Sequence, residues 1–330
     1  MKVLVTGGTG FIGKSVVRRL IQDGYGVRVL ARAGANVDAV VAHGAEVSFG
    51  DVTDGPAFGR AMPGCDAVVH LAAGTQDSEA ASVTTLAGTR ILIELCRQHR
   101  LERLVYVSSC SVYGVADYDE NSVVTETSPL ERFPERRGFY SASKRQAEEY
   151  VTEFMHTRAV PVVILRPGTV FGRGGDLFPG MMGKAVRSWY FVIGDGSLVP
   201  PFVHVDDVAE AISRCLDREE AEGEIFNVVD PERMTKRQYV DHVIRRVDAH
   251  ARVVYVPFLI VCSLTWLQEV ACKIVGRRPL LTRYRLESSQ KSVVFDGSKI
   301  AAKVGWKPAR SLRDALSELV SGATPGGCNA

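Results

Sequence analysis

Residues 2–13 read KVLVTGGTGFIG, and this stretch decides the fold of the chain. The apolar run at residues 2–6 is typical of a short buried strand, and the apolar residues that recur from Val16 to Ile21 predict an amphipathic helix directly after the glycines. Glycines between a strand and a helix provide a tight turn, a close approach of the backbone to a pyrophosphate, and close helix–strand packing. The free N–H groups at the start of the helix then face the phosphates. We therefore predict a dinucleotide site that includes Gly7, Gly10, Phe11, Ile12 and Gly13.

The second predicted strand, residues 27–32, ends at Ala31 and Arg32. A carboxylate near this place would accept the ribose hydroxyls of NAD, whereas an arginine pairs with the 2′-phosphate of NADP. We therefore favour NADP over NAD, with Arg32 at the phosphate. The alternative is that Arg32 is a solvated loop cation.

Strands and helices continue to alternate along the chain. Further strands are predicted at residues 47–49, 68–73, 104–107 and 161–167, with a helix at residues 82–99 before the third of these. This alternation indicates an α/β fold with a doubly wound parallel sheet of the Rossmann type. We expect Asp51 and Val52, after the strand at 47–49, to meet the adenine ring. The strand at 68–73 ends in Leu71, Ala72 and Ala73, where small side chains let a cofactor pass close.

A tyrosine and a lysine four residues apart, Tyr140 and Lys144, lie in the segment YSASK, which continues as a predicted helix. At this spacing the two side chains share one helical face. A lysine ammonium beside a phenol favours the phenolate, so we expect Lys144 to lower the pKa of Tyr140 and help it exchange a proton with a substrate hydroxyl. Two unrelated surface residues at helical spacing are the alternative. The serines of segment 108–114, SSCSVYG, follow a strand whose carboxyl end borders the ligand crevice.

Composition narrows the class of protein. The 330 residues have a formal net charge of +2, which gives no support for a nucleic-acid partner. Seven scattered cysteines without a CxxC pair indicate a reduced, cytoplasmic protein with neither a disulfide framework nor a metal site. The N-terminus has no charged leader before an apolar region, so we expect it to be unprocessed.

The regular alternation weakens after residue 171, and glycine and proline become frequent. We predict a dinucleotide-binding domain at residues 1–171, joined by later pieces near 202–229, and a smaller substrate-binding part at residues 172–320. The glycine-rich tail, residues 321–330, is expected to be flexible.

Eight segments in order resemble the extended short-chain dehydrogenase/reductase family, also called the NAD-dependent epimerase/dehydratase family. They are TGGTGFIG (6–13), GDVTD (50–54), VVHLAA (68–73), VYVSSCSVYG (105–114), YSASK (140–144), LRPGTVFG (165–172), FVHVDDVA (202–209) and VGWKP (304–308). The resemblance implies an NAD(P)-dependent enzyme that acts on a small molecule, and a homodimer. It also implies that Tyr140 is the acid/base, that Lys144 holds the nicotinamide ribose and tunes Tyr140, and that Ser109 bonds the reacting oxygen. Ser111 is an auxiliary candidate.

Departures from the family pattern bear on the substrate. Cys110 and Ser111 stand where dehydratases carry an Asp-Glu pair, which argues against dehydration. Pro200 and Pro201 occupy the region where nucleotide-sugar members have a diphosphate-binding arginine, and Thr169 replaces a usual asparagine. Replacement cations are available at Arg173, Lys184 and Arg187.

The substrate class therefore stays open between two interpretations. Segment 191–196 and the late apolar segment resemble the 3β-hydroxysteroid and sterol branch, whereas Val112-Tyr113-Gly114 is typical of sugar epimerases. We place a nucleotide sugar first because sugar-acting members are numerous, with a sterol-like or other ketone as the alternative. Epimerisation and net oxidation or reduction use the same three residues. A non-catalytic dinucleotide sensor or scaffold is the alternative from another class.

The late apolar segment, residues 257–276, places Ile260, Leu264, Leu267, Ala271 and Ile274 on one helical stripe. Charged and polar residues within it make it a poor transmembrane span. Arginines follow at positions 277, 278, 283 and 285. We expect a core or subunit-facing helix, in a region (residues 257–285) that covers the substrate site or mediates a subunit contact, and no binding to anionic liposomes. Contact with a membrane surface is the alternative.

Overall fold

The structure, a computed structural model, describes residues 1–74 and 77–322. Its strands are β1 (Lys2–Thr6), β2 (Gly26–Ala31), β3 (Glu46–Phe49), β4 (Ala67–His70), β5 (Arg103–Val107), β6 (Ser122–Val124), β7 (Val162–Pro167), β8 (Thr169–Phe171), β9 (Gly183–Val186), β10 (Trp189–Ile193), β11 (Phe202–His204), β12 (Ile225–Val228), β13 (Arg252–Val256) and β14 (Val293–Phe295). Its α-helices are α1 (Phe11–Gln22), α2 (Asp38–Ala42), α3 (Gly55–Ala61), α4 (Glu79–Gln98), α5 (Phe139–His156), α6 (Val205–Asp217), α7 (Lys236–Tyr239), α8 (Arg245–Val247), α9 (Phe258–Ile274), α10 (Arg283–Gln290), α11 (Ser298–Val304) and α12 (Leu312–Gly322).

Seven strands form one parallel sheet in the order β12-β7-β5-β4-β1-β2-β3. The strand order reverses between β1 and β4, which places a crevice at the carboxyl ends of these strands. The predicted doubly wound Rossmann fold is therefore confirmed. Strand β4 ends at His70 rather than at Ala73, so Leu71, Ala72 and Ala73 lie in the loop at the crevice.

Helices cover both faces of the sheet because alternate strand residues point to opposite sides. Val3 and Val5 belong to a core cluster with α1 and α6, whereas Leu4 belongs to a second cluster with α3, α4 and α5. Helix α11 and Trp306 also belong to the first cluster, so chain beyond residue 229 returns to the sheet as well. The tail expected from residue 321 begins inside α12, and residues 323–330 lie outside the described part of the chain.

The C-terminal part has its own small sheet. Strands β9, β10 and β13 form it, and a third core cluster joins it to α7 and α12. Two further parallel pairs, β8 with β11 and β6 with β14, connect this part to the Rossmann domain.

Helices α9 and α10 lie in a segment between β13 and β14, residues 257–292, which we call the arm. Helix α9 buries only Thr265, and its apolar residues are largely exposed, for example Leu264 at 60% and Ile274 at 81%. Of the two expected roles of α9, the core helix is therefore wrong for this chain, because its apolar stripe faces away from the protein, and the subunit-facing helix stays a prediction. Among the described residues, no helix combines the length and the apolarity needed to cross a membrane.

Candidate active site

The glycine turn between β1 and α1 is packed too closely for side chains. Gly7 has a φ of +72°, and a Cβ at this residue would lie 2.9 Å from the backbone nitrogen of Ala72. A Cβ on Gly13 would lie 2.1 Å from the carbonyl oxygen of Gly7. A Cβ on Gly10 would meet only that same oxygen, at 3.3 Å, so Gly10 borders open space. No side chain caps the start of α1, whose N–H groups are therefore free for an anion. These residues fit the pyrophosphate of a dinucleotide.

The other predicted cofactor residues border the same crevice. Arg32 follows β2, is exposed, and forms no ion pair with any described residue. The Asp51 carboxylate accepts hydrogen bonds from the backbone and hydroxyl of Thr53, at 2.9 and 2.7 Å, which fixes the loop after β3. Val52 packs against α4, where a Cβ on Gly88 would lie 2.9 Å from it.

The residues beside the glycine turn are also held in place. The backbone N–H of Ala72 donates to the Thr6 hydroxyl at 3.3 Å, which holds the loop after β4 against β1. Leu71 and Ile12 are half-buried against the first core cluster. The Phe11 ring lies so close to Gly175 that a Cβ there would clash with it, at 2.7 Å. A glycine at position 175 thus allows the loop after β8 to pass over α1.

Ser109, Tyr140 and Lys144 come together at the carboxyl end of β5. The Ser109 hydroxyl lies beside the Tyr140 hydroxyl and accepts a hydrogen bond from the backbone N–H of Ser111 at 3.1 Å. Lys144 follows one turn after Tyr140 on α5 and is 5% exposed. Its Nζ donates to the carbonyl oxygen of Val107 at 2.9 Å.

The electrostatics of the pair differ from the sequence expectation. Burial raises the pKa of Tyr140, while the hydrogen bond from Ser109 opposes the rise. Burial lowers the pKa of Lys144 to about 8, with Glu148 acting in the opposite direction. The expectation that Lys144 lowers the pKa of Tyr140 is wrong in this structure, because burial dominates and the ammonium is directed at the Val107 carbonyl. Tyr140 is thus a neutral phenol at pH 7.

A buried ion pair that the sequence did not reveal lies behind α5, the helix that carries Tyr140 and Lys144. Arg166 on β7 and Glu148 on α5 are separated by 2.5 Å, and both side chains are almost fully buried. Arg166 also donates to the Tyr113 hydroxyl at 2.7 Å, and that hydroxyl donates to Asn227 at 2.6 Å. Tyr113 is completely buried. The tyrosine of the Val112-Tyr113-Gly114 segment therefore stabilises the protein interior and has no access to a substrate.

Several buried polar atoms near this end of the sheet have no partner among the described residues. They include the hydroxyls of Ser108 and Ser111 and the Nε2 atom of His70. His70 ends β4, stacks on Tyr106, and hydrogen-bonds Thr6 through Nδ1 at 2.9 Å. Burial and the charge of Lys144 lower the pKa of His70 to about 3, so the imidazole is neutral at pH 7. Sequence reasoning missed His70, which looked like an ordinary strand residue.

The arm contacts the start of α5. Asp77 accepts the backbone N–H of Tyr140 at 2.9 Å and forms an ion pair with Arg285 on α10. The Thr282 hydroxyl donates to the carbonyl oxygen of Arg136 at 2.8 Å, and the Arg278 guanidinium lies 5.5 Å from the centroid of the Phe139 ring. The N-terminus of α5 is therefore capped by a carboxylate that the arm holds in place.

A cavity of about 630 Å³ lies in the C-terminal part, at the base of the arm. It is lined by apolar side chains of Ile193, Leu198, Tyr255, Phe258 and Leu259, by the acidic Glu120 and Asp195, and by Arg237. Arg237 already donates to the backbone oxygen of Asp195 and lies over the Tyr255 ring. The replacement cations expected for a diphosphate, Arg173, Lys184 and Arg187, do not line this cavity.

Two curated proteins resemble the chain over nearly its whole length. The decarboxylating sterol-4-alpha-carboxylate 3-dehydrogenase of Dictyostelium discoideum is 26% identical over 329 residues, covering 96% of this chain and 99% of that protein. The 4-hydroxy-2-methyl-3-oxo-4-farnesyl-3,4-dihydroquinoline-1-oxide ketoreductase of Stigmatella aurantiaca is 28% identical over 327 residues, covering 97% and 96% of the two chains.

A solved structure shares the architecture. The crystal structure of UDP-glucose 4-epimerase from Thermus thermophilus in complex with NAD superposes with a TM-score of 0.72 at 25% identity, covering 98% of this chain and 100% of that chain. The sequence pattern of the NAD dependent epimerase/dehydratase family matches residues 3–228, more than half of the chain. The chain therefore belongs to the NAD-dependent epimerase/dehydratase family and is an enzyme of the extended short-chain dehydrogenase/reductase type.

Proposed function

We propose that this enzyme interconverts a secondary alcohol and a ketone, with Tyr140 as the acid/base. The observation that carries the proposal is the placement of the Ser109 hydroxyl beside the Tyr140 hydroxyl, with Lys144 one helical turn away, at the carboxyl end of β5 next to the glycine turn. A phenol held by a serine can give its proton to a carbonyl oxygen that binds between the two hydroxyls. Bound nicotinamide supplies or accepts the hydride at the neighbouring carbon.

Each residue has a separate task in this mechanism. Ser109 donates to the substrate oxygen and aligns it with Tyr140. Because the pKa of Tyr140 is raised, the phenol is protonated at pH 7 and suited to donate in the direction of ketone reduction. Lys144, with a pKa of about 8, is mostly charged at pH 7 and can hold a ribose hydroxyl of the cofactor. The unpartnered hydroxyl of Ser111 offers a further donor to the substrate.

The cofactor preference rests on Arg32. An exposed arginine without an ion-pair partner among the described residues, just after β2, suits the 2′-phosphate of NADP. We propose that the enzyme uses NADP(H) in preference to NAD(H).

We propose that the C-terminal cavity receives the part of the substrate that lies away from Tyr140, and an apolar group suits it better than a nucleotide diphosphate. Its wall is mainly apolar, and two carboxylates oppose a single arginine that already has a backbone partner. The two relatives are named for a sterol carboxylate and for a farnesyl-bearing ketone, both with large apolar parts. We therefore propose a ketone or secondary alcohol carried by an apolar molecule, which reverses the order of preference set by the sequence alone.

Epimerisation of a nucleotide sugar is the second candidate. The match in architecture to UDP-glucose 4-epimerase extends along the entire chain and favours it. In this case the same three residues act twice, and the cofactor returns to its starting state after each turnover.

A chain-length series tests the substrate class. The purified enzyme is given NADPH and 3-oxo compounds of increasing alkyl length, and nicotinamide absorbance is followed. We expect kcat/KM to rise about fourfold for each methylene that is buried, since a buried methylene contributes about 0.8 kcal/mol. UDP-glucose is the parallel substrate, with its sugar products resolved by chromatography. No dependence on alkyl length would contradict the apolar proposal, and conversion of UDP-glucose alone would establish the second candidate.

A further inference from the structure

Helix α9 has hydrogen-bonded polar side chains on its inner face and most of its large apolar side chains on its outer face. On the inner face, Gln268 donates to the carbonyl oxygen of Leu281 at 2.8 Å, and Glu269 pairs with Arg283 at 2.8 Å. The outer face carries Leu259, Ile260, Leu264, Leu267, Val270 and Ile274, which are between 40% and 81% exposed. A soluble surface helix has the reverse arrangement. A contiguous apolar surface of this kind marks an interaction site.

The charges around this face have one sign. Lys273 and Arg277 lie at its C-terminal end, are exposed, and form no ion pair within residues 1–74 and 77–322. The acid of the helix, Glu269, is turned inward and neutralised by Arg283. Arg283 and Arg285 are likewise engaged with the protein, so they are not part of the free basic group.

We propose that the outer face of α9 docks onto an anionic lipid surface. A helix of 17 residues is about 25 Å long and would lie flat, with its apolar side chains at the headgroup boundary. Trp266, 47% exposed on this face, has the amphipathic ring that is favoured at such a boundary. Lys273 and Arg277 meet the phosphates. The free cations Lys273 and Arg277 would repel the same two cations of a second copy of the chain, so the charge favours lipid over self-association.

The arm links this surface to the active site. Arg278 contacts Phe139, and Arg285 holds the carboxylate that caps the N-terminus of the catalytic helix. Because α9 is part of the arm, a lipid surface against α9 would lie close to the arm residues that contact the start of α5. The docking itself does not depend on the identity of the substrate.

Flotation of the full chain with vesicles tests the proposal. Vesicles of phosphatidylcholine with phosphatidylserine are compared with phosphatidylcholine alone, at low and high salt. We expect flotation with the anionic vesicles at low salt and a large loss at high salt. In Lys273→Gln with Arg277→Gln, binding should weaken about 25-fold, since each cation near the surface contributes about fivefold. The matched control is Arg100→Gln with Lys307→Gln, two exposed cations away from the arm, which should bind as the wild type does.

The apolar contribution is tested separately. Leu264→Gln with Leu267→Gln and Ile274→Gln should abolish flotation, whereas Val41→Gln with Val123→Gln and Val186→Gln, at comparably exposed sites elsewhere, should not. Circular dichroism confirms that each variant is folded. Absence of flotation by the wild type overturns the proposal, as does flotation that the α9 variants leave unchanged. Wild-type self-association in light scattering that the triple α9 variant abolishes, without lipid binding, would assign the face to a second copy instead.

Discussion

The sheet and the arm follow opposite rules for apolar and charged side chains. In the sheet, apolar residues are inside, and a buried charge such as Arg166 has its counter-charge at 2.5 Å. In the arm, polar groups of α9 face the protein while Leu264 and Ile274 face outward. The sheet is thus stabilised by contacts within the chain itself. The arm has an apolar surface that only another molecule can cover, so the two regions should respond very differently to substitution.

The largest effect is expected at the catalytic end of the sheet. Tyr140→Phe removes the acid/base, and we expect turnover to fall by about 10²–10⁴-fold with cofactor binding nearly unchanged. Steady-state kinetics and cofactor titration measure the two quantities. Tyr150→Phe, ten residues further along the same helix, is the control and should retain activity. Turnover of Tyr140→Phe within about threefold of the wild type would remove Tyr140 from the mechanism.

A comparable loss, but in stability, is expected behind that helix. Glu148→Gln leaves the buried Arg166 charge uncompensated, so we expect the free energy of unfolding to fall by about 3–5 kcal/mol. Denaturant unfolding measures it. Glu149→Gln is the matched control, because this carboxylate is 53% exposed and its pair with Arg145 should contribute at most about 1 kcal/mol. Equal losses in the two variants would contradict the importance of burial.

The features that the sequence predicted are local in the chain. The glycine turn, the alternation of strands and helices, and the spacing from Tyr140 to Lys144 each lie within a few residues or follow a regular period. The features that it missed join distant segments: Asp77 reaches Tyr140 across 63 positions, and Arg285 reaches Asp77 across 208. Such pairs depend on how loops and helices meet in space. The outward orientation of α9 was missed for the same reason, because periodicity finds an apolar stripe and not the direction in which it points.

Cofactor choice should depend on a single exposed cation. Arg32→Ala removes a charge-assisted contact, so NADP affinity should fall about ten- to a hundredfold while NAD affinity changes little. Calorimetry with both cofactors measures this. If the wild type binds the two dinucleotides equally, Arg32 does not select the phosphate.

A smaller effect is expected where the arm meets the N-terminus of α5. Asp77→Asn weakens the cap on α5 and the ion pair of Asp77 with Arg285. A helix cap contributes about 1 kcal/mol to stability. Because this cap holds the turn that carries Tyr140, we expect kcat to fall about fivefold with cofactor affinity unchanged. Arg285→Lys preserves the charge and should restore most of the activity that Arg285→Ala loses. Glu79→Gln, an exposed carboxylate at the start of α4, is the control. An unchanged kcat in Asp77→Asn would show that the arm does not position Tyr140.

The smallest effect defines the contrast between the two regions. Leu264→Ala on the outer face of α9 should change the free energy of unfolding by less than about 0.5 kcal/mol, because little of this side chain is buried. Leu316→Ala, fully buried in the third core cluster, should cost about 2–5 kcal/mol. The pair is measured side by side in urea. Similar costs would mean that the outer face is covered in solution.

The strand pairs at the two ends of the arm have a consequence for how this chain can be altered. Strand β13 pairs with β10 just before the arm, and β14 pairs with β6 just after it, so both ends are fixed by backbone hydrogen bonds. The residues between them can then be exchanged without shifting the register of any strand in the large sheet, provided that Arg285 and its ion pair with Asp77 are kept. The arm can therefore be exchanged as one unit between two fixed strands. Grafting the corresponding segment from another enzyme would be a direct way to engineer what this catalytic centre accepts.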